Sequence, residues 1–187
     1  MSPKTKKILI ALGILTVVLA ATFYWMGAGS RKLSPGATAE GMVGTLRVEV
    51  DYSRPSMRGR LIFGTAEQGA LIQYGRYWRL GANAPTSIEF SEDVLFNGAA
   101  VKAGKYRLYA VPGEADFELV LNSKLGWSGA PEPDYDKDVL RTRVAVGSTA
   151  APVEQFTISV LPADAGLTLQ IEWSGLVLRA PVVPAGQ

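Results

Sequence analysis

The rhythm of hydrophobic and polar positions changes once along this chain. Residues 8–29, ILIALGILTVVLAATFYWMGAG, carry no charged side chain over 22 positions, close to the roughly 20 residues a helix needs to cross the hydrocarbon core of a bilayer. From residue 43 onward, apolar and polar residues alternate in short runs broken by Gly, Pro and Asn, the period of half-buried strands. Leu46, Val48, Val50 and Tyr52 share one face, and Arg47, Glu49 and Asp51 the other. The same alternation predicts strands over 86–90, 94–96, 106–111, 117–121, 139–146, 153–161, 167–173 and 176–183. Asn97-Gly98 is a pair that tolerates the positive φ angles of a tight hairpin. Trp173-Ser174-Gly175-Leu176 predicts a second short reversal, joining the last two strands, and Pro181 and Pro184 suit an edge position. The one helical candidate past residue 43 is 67–74, a turn or two at most.

About ten short strands with turn signals between them predict an all-β fold, an antiparallel sandwich or jelly roll, preceded by one transmembrane helix. No internal repeat points to a propeller or solenoid. The organisation expected is a basic segment over 1–7, an anchor over 8–29, a flexible tether over 30–42 and an extracytoplasmic β domain over 43–187. The tether is read from LSPGATAEGMVG, which is small, glycine-rich and without period.

Lys4, Lys6 and Lys7 precede the apolar run, and Val18-Leu19-Ala20 offers small residues for cleavage, so a signal peptide is the competing reading of residues 8–29. The retained helix is preferred because the run continues into Phe23-Tyr24-Trp25, where an interfacial aromatic belt would sit. Three lysines and the α-amine before the helix, against Arg31 and Lys32 after it, orient the N-terminus to the cytoplasm and the β domain outward, a single-pass arrangement.

Composition then narrows the chemistry. The chain has no cysteine and no histidine. Thiolate nucleophiles, disulfides, zinc–thiolate sites and lipoprotein anchoring are excluded, as are imidazole bases and metal ligands. The formal charge of +2 pools two unlike parts: residues 1–32 hold five cations and no acid, leaving 14 cations against 17 acids beyond them. A β domain near −3 with no basic face is unsuited to nucleic acid. Nothing calls for a cofactor.

The densest unusual stretch is 51–86, which carries Arg54, Arg58, Arg60, Arg76 and Arg79 among Tyr52, Tyr74, Tyr77 and Trp78, with no lysine. Guanidinium forks suit paired hydrogen bonds to carboxylate or phosphate, and aromatic faces suit stacking by guanidinium or sugar rings. The alternative is that these arginines brace two sheets, with Arg54 or Arg79 paired to acids such as Glu89 or Glu118. The runs DYSRPSMRGRLIFG, YGRYWRLGAN with Thr86 after it, FNGAAVKAGKYRLYAVPG and YDKDVLR together resemble the bacterial domain-of-unknown-function 2911 family. The resemblance covers roughly residues 43–181. It does not extend to the anchor; it implies one domain and transfers no activity, and it places Tyr52, Arg54, Pro55, Arg60, Trp78, Arg79, Gly81, Asn83 and Thr86 in the family signature. GTAEQGALIQ reads as longer than the family's usual link between the two signature halves.

Asp134, Asp136 and Asp138 have the spacing of a calcium loop, but Val139 and Ala145 stand where an EF-hand needs Gly and Glu, leaving a looser site as a weak metal candidate. Glu89, Glu118, Glu154 and Glu172 offer carboxylates for a hydrolase without indicating a pair. Without histidine a serine nucleophile would need Lys102, Lys105, Lys124 or Lys137, and no G-x-S-x-G elbow is present. Phe156, Trp173 and Tyr106 lie on the apolar phase of their strands and read as core. The functional expectation is therefore non-catalytic: a membrane-anchored module binding a small anionic or carbohydrate ligand through Tyr52, Arg54, Arg60, Trp78, Arg79, Asn83 and Thr86. A structural envelope domain and a carboxylate-based hydrolase are the alternatives.

Overall fold

A computed structural model of the chain describes residues 2–186. In the N-terminal helix the side chains of residues 11, 23–28, 30 and 31 lie outside that description, and with them the aromatic belt expected at Phe23, Tyr24 and Trp25. The chain divides into two units, Met1–Leu33 and Ser34–Gln187. The first is one helix, α1 (Pro3–Leu33), long and apolar enough by length and composition to cross a membrane, a test that a signal sequence also passes.

The second unit is an antiparallel β-sandwich. Strands β1 (Gly36–Val43), β2 (Leu46–Ser53), β5 (Thr86–Phe90), β8 (Gly104–Pro112), β9 (Asp116–Asn122) and β10 (Asp138–Ala145) form one sheet in the order β1-β2-β5-β8-β9-β10. Strands β11 (Gly147–Ala163), β12 (Gly166–Pro184), β6 (Val94–Phe96) and β7 (Ala99–Val101) form the other, in the order β11-β12-β6-β7. The two short strands β3 (Phe63–Gly64) and β4 (Ile72–Gln73) pair in parallel. The inner faces meet in one core. Leu46, Val48, Val50, Ile88, Phe90, Leu108 and Phe117 come from the first sheet; Phe156, Ile158, Leu169, Ile171, Trp173 and Leu178 come from the second. These are the positions that the period-2 pattern selects, because alternate side chains of a strand point to opposite faces.

The segment expected as a tether is β1 from Gly36 onward, paired along its whole length with β2 from Gly36↔Ser53 to Val43↔Leu46. Ala39 is its buried contribution to the core, with Ala37 and Val43 partly buried against it, and so few large side chains left no period to read. The helical turn expected over 67–74 is replaced by a turn and β4. Gly69 and Gly75 there have φ of 68° and 73°, and the Thr65 N–H donates to the Gln68 side-chain Oε1 at 2.8 Å.

Both predicted reversals are present. Asn97 and Gly98 have φ of 49° and 84°, and Phe96 registers with Ala99 across the turn. β12 folds back on itself at Ser174, whose φ is 57°. Arg179 Nε donates to Gln170 Oε1 at 2.8 Å, and a Cβ on Gly166 would lie 2.5 Å from the Val182 carbonyl oxygen. A straight strand would separate residues 166 and 182 by about 50 Å. The burial phase also switches, from 167, 169, 171 and 173 to 178, 180 and 182, as a two-residue turn requires. The second arm therefore lies between the first arm and β6, which corrects the edge position expected for Pro181 and Pro184. The Pro181 carbonyl accepts the Asn97 N–H. In an antiparallel strand one residue's N–H and C=O point to the same side, so the missing N–H of Pro181 faces the place where β6 is already ending.

Candidate functional site

The residues singled out from the sequence do not form one cluster. Tyr52 is buried, and its hydroxyl donates to the Ile158 carbonyl at 3.1 Å and accepts the Ile158 N–H at 3.0 Å, pinning β2 to β11. Arg54 continues that seam: Nε donates to the Phe156 carbonyl and Nη2 to Thr157 Oγ1. Arg60 is exposed and closes a turn by donating to the carbonyls of Met57 and Ser56. Trp78 lies in the core, stacked on Trp173 at 6.1 Å and edge-on to Phe63 and Phe156. Thr86 donates from its hydroxyl to the Leu80 carbonyl, closing the loop that holds Leu80 at φ 52° and Asn83 at φ 59°. Asn83 Nδ2 donates to the Ser34 carbonyl. Arg79 is half-buried; its side chain has no hydrogen bond or ion pair among the described residues, and its Cδ runs against Gly129. The bracing acids are also reassigned: Glu118 pairs with Arg141 at 2.6 Å and Glu89 faces Lys105 at 3.8 Å.

A polar and aromatic cluster lies on the outer face of the six-stranded sheet; of its members the sequence had singled out Tyr77 and Asp138 but not Arg107, Tyr109 or Arg141. β8 presents Arg107 and Tyr109 outward, in register with Asn122 and Val120 of β9, while β10 adds Asp138 and Arg141. The segment after β4 lays Tyr77 over this face, its ring 5.4 Å from Tyr109, and Tyr135 packs on the other side of Tyr109 at 6.3 Å. Tyr109 is thereby fully buried on what would otherwise be a solvated face.

The charges here are unevenly matched. The single acid at its centre, Asp138, is fully engaged: it accepts hydrogen bonds from Tyr109, Asn122 and Arg141. Burial and the bond to Asp138 push the Tyr109 phenol far up, so it remains a donor throughout the working pH range. Arg107 is only 4% exposed and has no carboxylate within 4 Å among the described residues. Its Nη2 donates to the Tyr77 hydroxyl and to the Pro131 carbonyl at 3.0 Å, its guanidinium lies 5.4 Å from the Tyr77 ring, and its Nε is buried without a partner. A buried cation facing only neutral acceptors is an arrangement suited to an anion.

Loop 123–135 covers this cation. The Gly129 carbonyl accepts from the Tyr77 hydroxyl, the Gly129 N–H donates to the Asn83 carbonyl, and a Cβ on Gly126 would stand 3.3 Å from Arg107 Nη1. The Pro131 carbonyl and the Tyr77 hydroxyl thus occupy directions that an anion's oxygens would take, and the Gly129 carbonyl holds the Tyr77 hydroxyl in place. Arg79, whose Cδ would lie 2.8 Å from a Cβ on Gly129, brings a sequence-selected arginine to this loop. Arg107 was legible as an outward residue of a strand, which ordinarily reads as solvated; only loop 123–135 buries it.

The acidic candidates are dispersed. Asp134 faces Lys124 at 3.5 Å, Asp138 lies under Tyr109, and no group of three or more acids among the described residues is arranged to hold a metal ion. Glu89 and Glu118 belong to one sheet, with β8 between their strands, whereas Glu154 and Glu172 belong to the other. Among the described residues, the side-chain amines of Lys102, Lys105 and Lys124 pair with Asp93, Asp51 and Asp134 rather than with a serine.

Against known protein families, residues 34–182 match the model described as a protein of unknown function (DUF2911). No curated protein matches the chain, and no solved structure does.

Proposed function

Since the chain belongs to the DUF2911 family, whose description assigns no activity, we propose a function from the geometry alone: a non-catalytic module, anchored by α1 in the bacterial cytoplasmic membrane and facing outward, that binds a small anionic ligand at Arg107. The ligand class is a phosphate or a carboxylate, including the carboxylate of an acidic sugar. The observation that carries this reading is the burial of Arg107 with an unsatisfied Nε and no counter-charge. Loop 123–135 acts as the cover, exchanging the neutral carbonyl of Pro131 for an anionic oxygen, which makes a stronger hydrogen bond to guanidinium,. Arg79 and Tyr77 flank the entry, the first with charge and the second with a ring and a hydroxyl.

A second reading, a structural envelope domain, is favoured by Tyr52 and Arg54, which tie β2 and the residue after it to β11 through carbonyls and a hydroxyl. Thermal melts of the full chain in detergent with phosphates, carboxylates and acidic sugars separate the two. A ligand at 100 times its dissociation constant stabilises by about 2.7 kcal/mol, which raises the midpoint by roughly 5 to 10 °C at this size. The binding reading expects such a shift for one anion class and its loss in a still-folded Arg107→Met. No shift with any anion, together with a midpoint in Arg107→Met at least 5 °C below wild type, would overturn it in favour of the brace.

A further inference from the structure

Trp127 is 90% exposed, the most exposed large hydrophobic residue among those described, and Leu125 beside it is 39% exposed. Both lie in loop 123–135. That loop meets the rest of the domain at the place where the chain enters it. Gly129 is hydrogen-bonded to Asn83, Asn83 Nδ2 donates to the Ser34 carbonyl, and the Arg54 N–H donates to the Pro35 carbonyl. A Cβ on Gly126 would touch Pro85. Ser34, Asn83, Pro85 and Trp127 therefore mark one end of the sandwich. The opposite end holds the cleft of about 360 Å³ lined by Val43, Gly44, Thr45 and Asp164. β1 runs between the ends for eight residues, or about 25 Å.

Chain length sets how far this end can stand from the bilayer. The apolar run ends at Gly29 and α1 at Leu33. The five steps from Gly29 to Ser34 span about 7.5 Å in helical geometry, while the headgroup layer extends roughly 5 to 7 Å beyond the hydrocarbon on each side. With α1 spanning the bilayer, Ser34, which Asn83 ties to the sandwich, could stand no farther out than about the outer edge of the headgroup layer,. Tryptophan favours that depth, where its ring meets apolar chains and its N–H remains wet. Arg60 and Arg79, at the same end, have no carboxylate partner among the described residues and add attraction for anionic lipid,.

We propose that the Trp127 end of the sandwich is a docking surface for the headgroup layer of the bilayer that α1 spans. This rests on the reading of α1 as a retained anchor. Docking places Trp127 and Leu125 in the interface and holds the domain with loop 123–135 against the membrane and the Asp164 end outward.

The absence of native cysteine allows a single reporter thiol. Full-length Ala130→Cys and Asp164→Cys, each carrying an environment-sensitive fluorophore, are reconstituted in vesicles of phosphatidylcholine and phosphatidylglycerol containing headgroup spin labels. The expected result is co-flotation of both proteins with vesicles and quenching at residue 130 at least twofold above that at residue 164. Adding Trp127→Ser should remove most of that difference. Equal quenching at both positions in protein that floats overturns docking while leaving the anchor intact. Protein that fails to float overturns the anchor and docking together.

Discussion

Asp51 is subject to opposed influences. Burial, the largest single one, works to raise its carboxyl. The hydrogen bonds from Lys105 at 3.0 Å and Thr38 at 2.9 Å, with the Lys105 charge, outweigh it and hold the group below the ordinary carboxylate range. Glu49 and Glu89 lie on the same outer face, and both add attraction for Lys105. A depressed folded value means that the stabilisation is complete above the unfolded value of about 3.9 and is lost as pH falls through the folded value. An NMR titration should place the Asp51 midpoint below about 3.9, and Lys105→Met should move it upward. An unchanged midpoint in Lys105→Met would remove the ion pair as the cause. The contribution to folding is small, because both side chains are more than a third exposed,.

At the scale of elements, two glycines separate backbone strain from steric exclusion. Gly98 turns the β6–β7 hairpin at φ 84° with nothing within 4 Å of an added Cβ. Gly81 shapes the loop before β5 at φ 130°, where an added Cβ would lie 2.6 Å from the Ser53 carbonyl oxygen. Gly98→Ala should cost about 1 kcal/mol, the penalty of a left-handed alanine. Gly81→Ala should cost roughly 3 kcal/mol or more, because β2 backbone has to shift as well. Urea unfolding at constant slope measures both, and equal losses would show that the Ser53 contact yields without cost. The β12 hairpin obeys the same local logic: Ser174 takes the positive φ, and the buried phase changes parity across it.

For the whole molecule, the core that spans both sheets is built, among the described residues, from side chains between Ala39 and Val182. A single hydrophobic cluster closed within residues 34–187 is the physical requirement for independent folding. The fragment 34–187 should therefore unfold cooperatively, with a midpoint within about 2 °C of the full chain in mild detergent, a shift of roughly 1 kcal/mol or less. A much lower midpoint, followed by circular dichroism, would mean that α1 supports the sandwich.

Much of this protein is local and was legible as sequence. The uncharged run of residues 8–29 specifies a helix that can span a membrane, and alternation specifies which side of each strand is buried. Asn97-Gly98 and Ser174-Gly175 specify two hairpins, because each depends on neighbours a few residues apart. Partnership is not local. Gly36–Val43 became a strand because β2 supplied its ladder, and Tyr52 and Arg54 became cross-sheet pins because Ile158 and Phe156, more than a hundred residues on, were brought opposite them. Arg107 was left buried without a counter-charge because loop 123–135 closed over the outer face and Asp138 was taken by Arg141. The burial and charge balance of a side chain depend on everything packed around it, and only the tertiary fold brings those neighbours together.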